Sequence, residues 1–163
     1  MISLINGNVD LEAVVRESVR FHPGVAMMLE RYVPAEGLKL PDGRFVPAQT
    51  SVGINPYVVN RNKDVFGADA DTFRPERWLQ AAGETDEAFR ERIKLFQNTD
   101  LSFGAGSRIC LGRHIAMLEA YKIVATLVGR YEIELANPEK EWEVTCSWFL
   151  RQKGLICKLK KRA

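Results

Sequence analysis

The sequence predicts a mixed α+β fold, mainly α with small β-sheets, and three observations carry that prediction. Over residues 9–22, Leu11, Val14, Val15, Ser18 and Val19 follow the i, i+3, i+4, i+7, i+8 spacing of one helix face. A second helical run, Gly112 to Arg130, is apolar nearly all round and is broken only by Glu119 and Lys122. Between and after these lie short extended runs punctuated by Gly, Pro and Asp, too short for a large sheet.

Composition bounds the class. At 163 residues the chain is one average domain's worth, read as a single unit over 1–163. Apolar residues make up 46% and charged residues 27%, the balance of an ordinary globular protein. The 23 basic and 21 acidic residues are well mixed, so the net charge of +2 leaves no footprint for nucleic acid. Three cysteines, Cys110, Cys146 and Cys157, are odd in number and form no C-x-x-C pair. That argues against a disulfide scaffold or a zinc site and suits a reducing compartment. The opening "MISLINGNVDLE" lacks a basic region followed by an apolar run, so no signal peptide is expected. No stretch reaches ~18 consecutive apolar residues, so no spanning helix is expected either.

Taken in order, the first helix runs from Val9 to His22 and Pro23 closes it. Glu17 and Arg20 lie three apart on its surface, off the apolar arc, where periodicity alone predicts a solvated ion pair. "VAMMLERYV" (Val25 to Val33) reads as extended, and "GLKLPDGRFVP" as a hairpin turning at Pro41, Asp42 and Gly43. A short strand and a helical turn near Pro56 follow. Residues 63–80 read as a packed irregular segment in which Phe66, Phe73 and Trp78 need burial. "ETDEAFRERIKLF" is expected to be a short solvated helix or a surface insertion. After the long apolar helix, "YEIEL", "EWEVTC" and "GLICKLK" read as extended, with "SWFLRQKG" as a loop between the last two.

The stretch that carries chemistry is "LSFGAGSRICLGRHIA", Leu101 to Ala116. An isolated cysteine is usually a small buried hydrophobe. Here Gly104 and Gly106 let the backbone approach a ligand, Arg108 adds positive charge, and Cys110 stands just ahead of a helix N-terminus. Such surroundings favour a thiolate, which is a soft-metal ligand or a nucleophile. The two histidines, His22 and His114, have no partner at ligand spacing; the first reads as structural and the second as a helix-start residue.

Phe103-x-x-Gly106-x-Arg108-x-Cys110-x-Gly112 resembles the haem-binding signature of the cytochrome P450 family. Two further elements are similar and stand in the family's order: Glu17-x-x-Arg20, and Phe73-Arg74-Pro75-Glu76-Arg77-Trp78, with Trp where the family motif has Phe. The resemblance implies that Cys110 is the axial ligand of haem b (iron protoporphyrin IX) and the catalytic centre's metal donor. It implies cofactor contacts from Phe103, Gly104, Gly106, Arg108 and Gly112, with Arg31 and Arg108 on the haem propionates. Glu17, Arg20 and Arg77 would form a structural brace behind the loop. Substrate would meet Val25, Ala26 and Met27 after the first helix, and Trp148 and Phe149 in a late turn. A thiolate ligand pushes electron density onto iron and favours O–O cleavage.

The match covers Leu11 to Lys160 but corresponds to the C-terminal third of the family fold, with the flavour of fungal microsomal members. No stretch resembles the family's distal helix with its acidic–threonine pair, and the N-terminal membrane anchor of full-length relatives is not seen either. Those relatives typically sit on the cytoplasmic face of the endoplasmic reticulum. The implied function is a monooxygenase inserting one oxygen atom of O2 into a small apolar substrate, with NADPH serving indirectly through a flavoprotein reductase. The other reading is an inactive truncated fragment of such an enzyme, with weak or no haem binding.

Overall fold

The computed structural model describes residues 10–162, so the predicted helix start at Val9 lies outside the described residues. The first helix, α1, spans Leu11–Phe21 and starts at Asp10, whose side chain accepts from the Glu12 N–H. Strand β1 (Leu29–Tyr32) pairs antiparallel with β4 (Ser51–Ile54), and between them β2 (Leu38–Lys39) and β3 (Phe45–Val46) form the expected hairpin. Gly43 takes φ +88° in its turn, a conformation glycine adopts without strain. Only Leu29–Tyr32 of the Val25–Val33 run is a strand.

Two single-turn helices follow, α2 (Pro56–Val59) and α3 (Lys63–Phe66), capped by the side chains of Asn55 and Asn62. A 3-10 turn covers Pro75–Trp78. The segment expected to be irregular therefore contains two short ordered turns. Its side chains also sort differently from expectation. Phe66 and Trp78 are buried, but Phe73 is 36% exposed, lying edge-on to Phe21 at 6.1 Å. The Arg74 N–H and the Arg77 side chain that follow it bond to Glu17 of α1, whereas the Arg74 side chain pairs with Asp69 in the open.

Helix α4 (Asp86–Thr99) is longer than a surface insertion and is part of the core. Thr85 caps it, accepting from the Ala88 N–H, and Asp86 and Glu87 sit in its first turn. One narrow stripe, Phe89, Ile93 and Phe96 at i, i+4, i+7, turns inward; the rest of its surface is polar, which is why the segment reads as solvated. Phe96 stacks on Phe66 (4.9 Å) and meets Trp78 edge-on (5.5 Å), and these rings join Ala13 and Ala70 in the buried cluster. Arg92 ties α4 to the preceding loop through Glu84 and the carbonyl of Leu79.

The long helix α5 spans Arg113–Arg130 and runs straight into β5 (Tyr131–Leu135), which pairs antiparallel with β8 (Cys157–Lys161). Strands β6 (Glu143–Cys146) and β7 (Leu150–Lys153) form a second hairpin. Strand β7 corrects the loop expected over "SWFLRQKG". It is exposed along almost its whole length, so its residues carry no apolar–polar alternation to betray a strand. No helix among the described residues is long and apolar enough to cross a membrane. No residue of α5 is fully buried, although its sequence is apolar nearly all round: Ile115, Leu118 and Ile123 all lie more than half exposed.

Candidate functional site

Beneath the site lies a buried ion network that periodicity alone misplaces. Glu17 and Arg20 are both 0% exposed, where the spacing on α1 predicts a solvated pair. The reason is tertiary: the chain from Phe66 to Trp78 wraps over that face of α1 and supplies partners for both charges. Glu17 receives five hydrogen bonds. Arg20 donates through Nε to Oε2 and through Nη2 to Oε1, both at 2.8 Å, a forked pair. The Arg74 N–H, Arg77 Nε and Trp78 Nε1 each donate to the same carboxylate at 2.9 Å. Burial on its own would raise the Glu17 carboxyl; the donors from Arg20, Arg74 and Trp78 reverse the sign and hold it below its ordinary value.

The remaining donors of both arginines go mainly to main-chain oxygens, and Arg77 Nη1 also reaches the Asp69 carboxylate at 3.3 Å. Arg20 Nη1 donates to the carbonyls of Asn60 (2.6 Å) and Ala70 (2.9 Å). Arg77 Nη1 donates to the Phe66 carbonyl, and Nη2 to those of Asp69 (3.0 Å) and Thr72 (3.1 Å). Among the described residues no buried side-chain N or O is left without a partner. The residues proposed from sequence as a brace thus meet in one buried cluster. Trp78 belongs to it as well. A phenylalanine there would have no N–H to offer Glu17, so the tryptophan's indole is a working member of the network.

Above this network sits the cysteine loop. Gly104 and Gly106 take φ +71° and +64°, in the left-handed region, and a 3-10 turn covers Gly106–Arg108. The Cys110 N–H donates to the Phe103 carbonyl at 2.8 Å, closing the loop on itself. Gly112 is the N-cap of α5, and no side chain caps that helix. The Cys110 thiol is exposed, and Leu111 beside it is 96% exposed. Nothing lies within 4 Å of where a Cβ on Gly106 would stand, so that flank of the loop is open space. On the other flank, Leu29 of β1 abuts Gly104, which brings the strand carrying Arg31 alongside the loop. Arg31 is exposed, with Nη1 on the Glu30 carbonyl at 2.6 Å. Arg108 is exposed and, among the described residues, has no acidic partner within ion-pair distance.

The two segments suggested for substrate contact are brought together. Val25 bridges Phe149, the Ala26 N–H donates to the Trp148 carbonyl (3.2 Å), and the Leu150 N–H donates to the Gly24 carbonyl (3.2 Å). Ala26 is buried in this join; Met27, Trp148 and Phe149 are exposed. His22 lies 3.2 Å from the Gln152 side chain, fastening the end of α1 to β7, and His114 is bonded to Arg113. An open groove lined by Leu135, Trp142, Val144 and Ile156 lies between the β5–β8 pair and the β6–β7 hairpin, with no residue of the cysteine loop in its lining.

Two partners of the site carry no motif and are missed by the sequence reading: Asn60, and the Asp100–Ser102 turn that leads into the loop. Asn60 is fully buried, with Oδ1 accepting from the Leu101 N–H and Nδ2 donating to Asp100 and Ser102. Asn55 and Asn62 nearby are helix caps, and in the sequence Asn60 is indistinguishable from them. The one available signal is the Asp100-x-Ser102 pair, a side-chain turn motif at the foot of a glycine-rich loop.

Residues 11–159 match the family model for cytochrome P450. The cytochrome P450 monooxygenase cfoH of Aspergillus candidus is 55% identical over 152 residues, which is 93% of this chain and 28% of that protein. The cytochrome P450 monooxygenase cicH of Emericella nidulans is 46% identical over 152 residues, 93% of this chain and 29% of its own length. The chain therefore spans rather under a third of these relatives. Among solved structures, a crystal structure of a cytochrome P450 (CYP102L1) superposes with a TM-score of 0.75 at 27% identity, over 94% of this chain and 32% of that one.

Proposed function

The chain belongs to the cytochrome P450 family, and from that premise we propose that it forms the thiolate wall of a haem monooxygenase site, with Cys110 as the iron ligand. The family implies a haem, and the donor set suits one. A soft thiol is exposed on a self-closed loop with open space at Gly106, and two exposed arginines, Arg31 and Arg108, are available for its carboxylates. Bound there, haem b would supply the redox chemistry by which one oxygen atom of O2 enters a small apolar substrate and the other leaves as water, with two electrons drawn from NADPH through a flavoprotein reductase and two protons taken up, one of them from the solvent.

The chain's own residues have three tasks in this reading. The main-chain bond from Cys110 to Phe103 closes the loop that presents the sulfur, directly ahead of the start of α5. Phe103, Gly104, Gly106 and Gly112 shape the surface against the ring, and Glu17, Arg20 and Arg77 hold the floor beneath it. Val25, Ala26 and Met27, joined to Trp148 and Phe149, form one edge of the substrate pocket.

The exposed thiol on its glycine loop is the observation that carries the proposal. Cys110→Ala in the haem-loaded full-length protein should abolish the red-shifted Soret band of the reduced carbon monoxide complex. Survival of that band in the variant would remove Cys110 from the iron.

A further inference from the structure

We propose that Asn60 is a positioning residue for the Cys110 thiol, transmitting the buried Glu17–Arg20 ion pair to the foot of the cysteine loop. The proposal rests on the haem-thiolate reading and adds a residue that belongs to none of its motifs.

Asn60 is itself held rigidly. It closes α2, where its N–H donates to the Pro56 carbonyl at 2.9 Å, and its own carbonyl accepts from Arg20 Nη1 at 2.6 Å. The carboxamide then reaches the opposite way. Oδ1 accepts from the Leu101 N–H at 3.0 Å, while Nδ2 lies 2.8 Å from both Asp100 Oδ1 and Ser102 Oγ. Ser102 is tied in turn to α1, its hydroxyl lying 3.0 Å from the Val19 carbonyl, and its N–H donates to Asp100 at 2.9 Å. The next residue is Phe103, whose carbonyl takes the Cys110 N–H. One side chain thus clamps three successive residues, and one peptide further on the main chain bonds to the proposed ligand.

The chemistry needed at this position is narrow. A carboxamide presents two N–H groups and an acceptor in one plane, and all three directions are used. Aspartate has the same shape but no donor, and would set a second carboxylate against Asp100. Leucine has comparable bulk and no polar group, leaving the Leu101 N–H without its acceptor.

The experiment compares Asn60→Asp, Asn60→Leu and Phe96→Leu in the haem-loaded full-length protein, with Cys110→Ala alongside. Phe96→Leu weakens the aromatic cluster without touching the loop. One readout is the share of bound haem that gives the red-shifted Soret band in the reduced carbon monoxide complex. As a ratio within the haem-bound population, it is insensitive to partial loss of folded protein. The other is amide hydrogen exchange over residues 100–110 against residues 86–96, readable even in a variant that holds little haem. Both Asn60 variants should convert bound haem away from the thiolate form, raising the non-thiolate to thiolate ratio roughly tenfold, the scale of one or two lost hydrogen bonds. Exchange should rise over 100–110 and not over 86–96, while Phe96→Leu should leave the haem ratio unchanged. A wild-type ratio and wild-type exchange in both Asn60 variants would overturn the proposal, as would an equal loss of thiolate form in Phe96→Leu. Persistence of the band in Cys110→Ala would instead strike the haem-thiolate reading itself.

Discussion

Glu17 is where the smallest change should have the largest effect. A buried carboxylate with five donors is stable only while it is ionised and every donor is aimed at it. Removing one partner leaves the other charges buried and uncompensated, so Arg20→Ala should cost about 3–5 kcal/mol and release haem from the full-length protein. A solvated pair would cost under about 1 kcal/mol, and normal haem content in the variant would mark it as such. The pH dependence follows from the same geometry. The folded Glu17 carboxyl is held below its ordinary value of 4.5, so its stabilisation is fully present above that value and is lost as pH falls through the lower, folded one. Stability measured by denaturant should therefore fall as the solution is acidified below 4.5, and Glu17→Gln should flatten that part of the profile. An unchanged slope in the variant would show that Glu17 is not the group being titrated.

At the level of elements, α4 shows how a helix can look solvated and still hold the core. Its inward stripe is only three residues wide, yet Phe96 joins Phe66 and Trp78, and Trp78 in turn donates to Glu17. Phe96→Ala should cost about 3–5 kcal/mol by opening a cavity among those rings. Leu95→Ala, one residue away on the exposed face, should change stability by less than about 0.5 kcal/mol. Equal effects from the two, compared by denaturant unfolding, would contradict the packing described. Arg92 adds a polar tie from the same helix, and its bonds pull the Glu84 carboxyl down to about 2.

On the scale of the whole molecule, the feature that matters is the uncovered apolar surface of α5 and of the cysteine loop. Leu111, Ile115, Leu118 and Ile123 face outward, and so do Trp142 just ahead of β6 and Trp148 and Phe149 in the turn from β6 to β7. Contiguous apolar patches beyond a few hundred Å2 mark surfaces that bind something. Relatives more than three times as long have further chain with which to cover such a surface. Residues 1–163 expressed alone should therefore self-associate, with sedimentation velocity showing species larger than 18.4 kDa that shift with concentration. A monomer at every concentration would mean the apolar face is tolerated by water as it stands.

By itself the sequence determined the local elements that depend on near neighbours. Helical spacing placed α1 and α5, turn chemistry placed the first hairpin, and glycine and cysteine spacing located the loop and its thiol. These features are set by backbone preference and by contacts a few residues away, so they are legible in one dimension. Tertiary structure decided which groups are buried. Glu17 and Arg20 lie off the apolar arc of α1, and only the return of residues 66–78 over that face takes them out of water. Strand β7 has no alternation because both its faces are wet, so its pairing with β6 was invisible. Asn60 lies 40 residues and more from its partners Arg20, Asp100 and Ser102. Its role comes from hydrogen bonds between groups that the fold, and not the local chain, brings within 3 Å of each other, and no periodicity encodes a meeting of that kind.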